Sequence, residues 1–167
     1  MGGFGPARRP RRAPALLRKS DMDLVAATPT DADFLLRLRN DPLTRAMSLA
    51  SEEVASDAHA AWLAAMLADP RRQLFVAREG EPVGSGRIDM NGEGAELSWT
   101  IGPEHRGRGY GLALVRALIA AAPPGPLTAR IKSANTASLA IAARCGFVEV
   151  AAEGGLQVWR REAGGVA

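Results

Sequence analysis

The chain has 167 residues, 47% of them hydrophobic, which is enough for one domain with a substantial core. No apolar run is long enough to cross a bilayer, so we expect no membrane-spanning segment and no membrane partner. The formal net charge of +3 would favour an acidic partner such as nucleic acid if it were evenly spread, which it is not.

The excess positive charge belongs to residues 1–20, which hold six basic and no acidic residues. The remaining chain carries 15 basic and 18 acidic residues, a net charge of −3, which disfavours nucleic acid as a partner of the main domain. Three prolines and the lack of hydrophobic periodicity predict that residues 1–20 form a disordered basic arm. We interpret this arm as a flexible leader; the alternative is a segment that contacts nucleic acid or a membrane surface. A single domain is predicted over 21–163, with a tail over 164–167.

Cysteine and histidine are scarce in this sequence. Cys145 is the only cysteine, so an intramolecular disulfide is excluded and a reducing cytoplasm is the expected location. His59 and His105 are the only histidines, and one cysteine with two separated histidines does not favour a zinc site. We therefore expect no metal.

Hydrophobic periodicity and turn residues predict six elements in the first part of the chain: a strand over 23–28, a helix over 30–39, a helix from Ser51 or Ser56 to 69, and strands over 74–77, 83–88 and 96–101. The first helix is expected to stop at Asn40-Asp41-Pro42. The glycine-containing turns at 79–82 and 91–94 predict two hairpins, so the last three strands should be antiparallel.

The stretch from 96 to 119 predicts an anion-binding site. A buried strand over 96–101 is followed by a turn over 106–111 that contains three glycines, and then by the apolar stripe of a helix. Backbone N–H groups at a helix start lack intrahelical partners and carry partial positive charge, and glycines let a phosphate approach them. Leu112-Ala113 at the helix start does not fit a nucleotide-hydrolysing loop, and Leu112 does not fit a dinucleotide fingerprint.

The last part of the chain predicts five more features: a break at Ala122-Pro123-Pro124, a strand over 127–131, a helix over 135–144, and a hairpin of strands over 147–150 and 156–159. Two sequence motifs follow one another along the chain. The first is Arg106-x-x-Gly109-x-Gly111, and the second is Asn135-Thr136-Ala137-Ser138 followed by Cys145-Gly146-Phe147. Together they resemble the GNAT superfamily of acyl-CoA N-acyltransferases, in particular the branch of ribosomal-protein N-terminal acetyltransferases and amino-sugar N-acetyltransferases.

The resemblance implies an α/β (α+β) fold, with a mostly antiparallel central sheet of six to seven strands flanked by four helices. It also implies acetyl-CoA as co-substrate. The pyrophosphate is expected on the loop formed by Arg106, Gly107, Arg108, Gly109, Tyr110 and Gly111. The pantetheine arm is expected to pair with the central strand at Trp99, Thr100 and Ile101 and to bind Asn135.

The resemblance further implies two catalytic residues. Glu96 stands where many relatives have a general base, and strand alternation puts it on one face with Ser98 and Thr100. The alternative is a strand-end carboxylate in solvent or a structural ion pair, and Asp89 and Glu93 are weaker candidates for the base. Ser138 matches the proposed acid of the branch, although its hydroxyl could instead hydrogen-bond the helix start. The tyrosine acid common in the family is missing, because Ala142 occupies its position.

The expected reaction is direct attack by a primary amine within a ternary complex, since no histidine lies near Cys145 to support an acyl-enzyme. Arg39, Asn40 and Asp41 resemble a segment that borders the acceptor pocket of amino-sugar enzymes; the alternative is an ordinary helix end. Expected acceptors are amino-sugar nucleotides, small amines and protein N-termini, in that order. Two other functions remain open: a catalytically inactive acyl-CoA sensor, and a nucleic-acid binder that uses the arginine-rich arm. A homodimer is compatible with the resemblance.

Overall fold

The computed structural model describes residues 22–164 as a seven-stranded mixed sheet covered by helices. The strands lie in the order β1-β2-β3-β4-β5-β7-β6. Their bounds are Asp23–Ala26 (β1), Arg72–Glu79 (β2), Glu81–Met90 (β3), Ala95–Ile101 (β4), Leu127–Lys132 (β5), Val148–Glu153 (β6) and Leu156–Arg161 (β7). The predicted arm over 1–20 and residues 165–167 of the predicted tail lie outside the described residues.

Five helices connect the strands where four were expected. They are Ala32–Asn40 (α1), Pro42–Met47 (α2), Ser56–Ala68 (α3), Tyr110–Ala121 (α4) and Thr136–Arg144 (α5). The additional helix is α2, because the Asn40-Asp41-Pro42 segment ends one helix and immediately begins another. The Asp41 side chain accepts a hydrogen bond from Thr44 N–H at 2.9 Å, and Pro42 takes the first helical position, where no N–H is needed. None of the helices within 22–164 is long and apolar enough to cross a membrane.

The sheet separates two hydrophobic clusters. Along β2, Phe75 and Ala77 contact the cluster that includes Leu114 and Leu118 of α4, whereas Leu74 and Val76 belong to the cluster beneath α1 and α3. Because successive side chains of a strand point to opposite faces, the two clusters lie on opposite sides of the sheet. Leu114 and Leu118 are fully buried, so α4 is anchored by its apolar stripe and its first turn is held in a fixed place.

The sheet opens between β4 and β5. These strands are parallel and are paired at only two positions, Ala95 with Leu127 and Glu96 with Thr128. On its other edge β4 is paired with β3 along its whole length, from Ala95 to Ile101. β4 therefore keeps its shape while one edge loses its neighbour after Glu96, which creates a cleft in the middle of the sheet.

Candidate active site

The cleft exposes backbone hydrogen-bonding groups of β4. Gly102 N–H donates to Val83 O at 2.8 Å, across to the β3 side. Since the N–H and C=O of one peptide point in opposite directions, Ile101 C=O points toward the cleft. Because the backbone of a strand repeats every two residues, the Trp99 C=O points toward the cleft as well. The strand segment predicted to bind a pantetheine arm thus has an edge that no described strand covers.

A glycine turn follows at the end of this cleft. Gly107 and Gly109 have φ values of 74° and 85°, in the left-handed region that favours glycine, and Gly109 directly precedes α4. The first intrahelical hydrogen bond runs from Ala113 N–H to Gly109 O at 3.2 Å. The N–H groups of Tyr110, Gly111 and Leu112 therefore lack intrahelical partners, which is the arrangement that binds an anion.

Close packing fixes the start of α4 beside the cleft. A Cβ atom at Gly111 would lie 2.7 Å from Ile141 Cδ1 of α5 and 3.8 Å from Ile101 Cγ1 of β4. The first contact is shorter than side chains tolerate, so the absence of a side chain at Gly111 lets the helix start approach both elements. The predicted loop and the predicted strand segment are thereby neighbours, as one extended ligand would require.

The Arg106 side chain, which belongs to the predicted pyrophosphate loop, binds groups of the protein itself. Its Nη2 donates to Asp41 and, at 3.0 Å, to Thr44 Oγ1, while its Nε donates to Ile101 O at 3.2 Å. This guanidinium joins the turn to the start of α2. Hydrogen bonding to Glu79, with burial and the charge of Glu79, raises the pKa of the Tyr110 hydroxyl.

A pocket of about 520 Å³ adjoins the cleft. Its walls come from α1, α2, the segment after α2, α3, the start of α5 and the middle of the sheet. Six of the residues predicted for the site line it: Arg39, Glu96, Trp99, Thr100, Asn135 and Ser138. The glycine turn does not line this pocket, so the predicted phosphate region and the predicted acceptor region are spatially distinct.

Glu96 lies in the pocket wall in an ion pair with Arg130 of β5. Arg130 Nε donates to both carboxylate oxygens at 3.1 Å, and Nη2 donates to Oε1 at 3.0 Å. The Glu96 side chain is 23% exposed. The ion pair orients the carboxylate, and it leaves lone pairs free, most readily on Oε2, which accepts only one of these bonds.

Asn135 and Ser138 meet at the start of α5. The Asn135 side-chain oxygen accepts a hydrogen bond from Ser138 N–H at 3.2 Å and so caps the helix. The Asn135 amide nitrogen is the donor that this contact leaves available for a ligand. Ala142, at the position where relatives have a tyrosine, is fully buried in the core.

The three residues predicted to border the acceptor have different roles. Arg39 lines the pocket, and its Nη2 donates to Ala50 O at 2.8 Å. Asn40 instead holds the segment after α2, because its amide exchanges two hydrogen bonds with the backbone of Val54, at 2.8 and 2.9 Å. Asp41 caps α2 and binds Arg106. The structure thus puts Arg39 in the pocket wall and uses Asn40 and Asp41 to shape that wall.

Among the pocket residues that had not been assigned to the site from the sequence, four have charged or aromatic side chains: His59, Trp62, Arg87 and Arg130. His59 is 4% exposed, and its ring lies 5.4 Å from the Trp62 ring. Burial, and then the charge of Arg39, lower the pKa of His59, so it is neutral near pH 7. Arg130 alternates with the buried Ala129 and Ile131, but only the pairing of β4 with β5 reveals that it reaches Glu96.

Comparisons with known proteins agree with this architecture. Residues 21–148 match the family model described as Acetyltransferase (GNAT) domain. An acetyltransferase from Thermus thermophilus is 27% identical, with a TM-score of 0.73, and the match covers 84% of this chain and 96% of that one. No match was found among curated proteins.

Two further solved structures share the fold and contain the expected ligand. Spermidine N-acetyltransferase from Vibrio cholerae, in complex with CoA and spermine, is 21% identical with a TM-score of 0.72, covering 84% of this chain and 94% of its own. The protein yncA from Salmonella typhimurium, with its cofactor acetyl-CoA, is 22% identical with a TM-score of 0.71, covering 88% and 96%.

Proposed function

Because this chain belongs to the GNAT family of acetyltransferases, we propose that it transfers the acetyl group of acetyl-CoA to a primary amine. Amino-sugar nucleotides, small amines and protein N-termini are the acceptor classes we consider, in that order. The single cysteine fits a reducing compartment, and we propose the cytoplasm.

The observation that carries this proposal is the separation of β4 from β5 beside the glycine turn. The open edge at Trp99 can pair with an extended ligand that carries amides, as an added strand would, whereas Ile101 O already accepts a hydrogen bond from Arg106. The N–H groups at the start of α4 can hold a diphosphate, and Asn135 can donate to the arm between them. Acetyl-CoA has these parts in this order, and it supplies a thioester activated for transfer.

The residues around the pocket support direct transfer. An alkyl ammonium keeps its proton up to a pKa of about 10, and only the neutral amine attacks. We propose that Glu96 takes this proton, directly or through a water molecule, while Arg130 orients its carboxylate. The amine nitrogen then forms the C–N bond as the C–S bond breaks, and Ser138 or water protonates the departing thiolate.

The decisive experiment compares Glu96→Gln with the wild-type enzyme on a panel of amines, with acetylated product measured by mass spectrometry. Removing a general base lowers kcat by about 10²-fold or more, and the loss should be smaller at high pH, where more of the amine is already neutral. Affinity for acetyl-CoA should change little.

Glu149→Gln is the matched control, since Glu149 is exposed on β6 and does not line the pocket. Equal activity of wild type and Glu96→Gln at neutral pH would refute the role of Glu96. Saturable binding of acetyl-CoA with no product from any amine would refute transferase activity and favour an acyl-CoA sensor.

A further inference from the structure

The charge of the acceptor pocket is strongly unbalanced. Three arginines line it, Arg39, Arg87 and Arg130, against the single carboxylate of Glu96. With His59 neutral, the lining carries a net charge of +2. The arginines differ in how far this charge is already compensated.

Arg130 and Arg87 both have carboxylate partners. Arg130 is paired with Glu96, as described above. Arg87 Nε lies 2.7 Å from Asp89, but Asp89 is shared with Arg72, whose Nε lies 3.0 Å from it. One carboxylate therefore serves two guanidinium groups, and this cluster keeps a positive charge at the pocket.

Arg39 has no carboxylate partner among the described residues. Its only hydrogen bond there joins Nη2 to the neutral carbonyl of Ala50, and Nη1 is buried without any partner. Glu52 and Glu53 follow Ala50 in the chain, yet both are exposed and neither lines the pocket. A half-buried guanidinium without a counter-ion, beside a second region of excess positive charge, is suited to a ligand anion.

We propose that the acceptor amine carries an anionic group, a carboxylate or a phosphate, and that Arg39 binds this group. The inference rests on the proposed function, because it names the substrate class of the same pocket. Arg39 is then a specificity-determining residue: it fixes the anionic end of the acceptor and leaves the amine to Glu96. Polyamines, which carry several positive charges and no anion, are poor substrates for such a pocket.

The test uses pairs of amines that differ mainly in the anion. γ-Aminobutyrate is compared with butylamine for the carboxylate, and glucosamine 6-phosphate with glucosamine for the phosphate; spermidine is the polycation. We expect wild type to prefer the anionic member of at least one pair by tenfold or more in kcat/KM. In Arg39→Met the preference should largely disappear through a higher KM for the anionic member of the pair.

Arg37→Met is the matched control, since Arg37 lies on the same helix and is exposed. Arg39→Lys should retain part of the preference, and equal melting temperatures of the variants would show that the fold is intact. Which pair responds identifies a carboxylate or a phosphate. A preference for butylamine, glucosamine or spermidine in wild type would overturn the proposal, as would an anion preference that Arg39→Met leaves intact.

Binding separates this proposal from the proposed function. Titration of γ-aminobutyrate and glucosamine 6-phosphate into the protein saturated with CoA is followed by calorimetry. If either compound binds in an Arg39-dependent way but is not acetylated, the anion site is supported and the proposed transferase activity is not. If only amines without an anionic group are acetylated, and neither γ-aminobutyrate nor glucosamine 6-phosphate binds, the anion site is refuted while the transferase assignment stands.

Discussion

At the scale of single residues, Gly109 is constrained by its backbone conformation. Its φ of 85° lies where an L-residue is strained, and it supplies both the carbonyl of the first bond in α4 and the turn that exposes the helix N–H groups. Backbone conformation, rather than any side chain, thus forms the proposed anion site.

Gly109→Ala should lower the free energy of unfolding by about 1–2 kcal/mol through this strain and should raise the Kd for acetyl-CoA by distorting the turn. Gly92→Ala is the matched control, because Gly92 has a φ of 89° in the β3–β4 turn with nothing within 4 Å of an added Cβ. Urea unfolding and calorimetric titration measure the two effects. The interpretation fails if both variants bind acetyl-CoA equally well.

The conformation of the glycines in the turn could be predicted from the sequence, whereas the binding partner of Arg106 could not. Glycines before a helix start have a local meaning, since φ is set by the residue itself. Arg106 lies in the same motif, but its guanidinium binds Asp41, which is 65 positions earlier in the chain. Glu96 shows the same limit, because its partner Arg130 lies on another strand and becomes visible only through the β4–β5 pairing.

At the scale of elements, α2 connects the glycine turn with the pocket. Asp41 at its start binds Arg106 of the glycine turn, and Thr44, Met47 and Ser48 of this segment line the pocket. Burial opposes ionisation of Asp41, but hydrogen bonds from Arg106 and Thr44 outweigh it and hold the pKa of this carboxyl below its ordinary value of 3.8. A change in the turn can therefore be transmitted to the acceptor wall.

Asp41→Asn keeps a capping oxygen but loses the charge, so we expect it to lower unfolding free energy by about 1–2 kcal/mol at pH 7. Asp41→Ala also loses the cap and should lower it by about 1 kcal/mol more. Because the folded pKa is depressed, the wild-type advantage over Asn is complete above about pH 3.8 and shrinks as pH falls through the lower, folded value.

Chemical denaturation of the wild type and of Asp41→Asn, at pH values from 7 into the acid range, measures this difference in stability. A wild-type advantage that stays constant through the acid range would contradict a stabilising Asp41 carboxylate. Both variants should also raise KM for the amine, although Asp41 itself does not line the pocket.

Elements with strong local signals were predicted well. The hairpins at Gly80 and Gly92 were placed by their turn residues, and both glycines have positive φ. Helix α2 was missed because Pro42 was interpreted only as the end of a helix, whereas proline is equally suited to the first position of the next one. Six residues are also too few to show a helical period.

At the scale of the whole molecule, the prediction of the fold was confirmed: an α/β GNAT architecture around one mixed sheet. The cleft could be anticipated only in outline. Gly102 and Pro103 indicate where β4 ends, but the loss of pairing with β5 already begins after Glu96, where no turn residue signals it. The divergence depends on how two distant strands pack, which no local pattern records.

Acetyl-CoA should stabilise the whole domain, because its proposed site exists only when β4, α4 and α5 are assembled. At a concentration 100 times the Kd the gain is about 2.7 kcal/mol, or roughly 5–10 °C in Tm for a domain of this size. Pantetheine, which lacks the phosphates, should give a smaller shift that Gly109→Ala leaves unchanged. Absence of any shift with millimolar acetyl-CoA would refute the donor site.

The position of Cys145 has a practical consequence. This thiol is 2% exposed, and burial in the core raises its pKa despite three nearby arginines, so the native protein should not react with aromatic disulfide reagents. Colour that develops during turnover then reports free coenzyme alone, with no background from the catalyst. In denaturant the same reagent should titrate one equivalent per chain. The rate at which Cys145 reacts therefore measures how often the core opens globally.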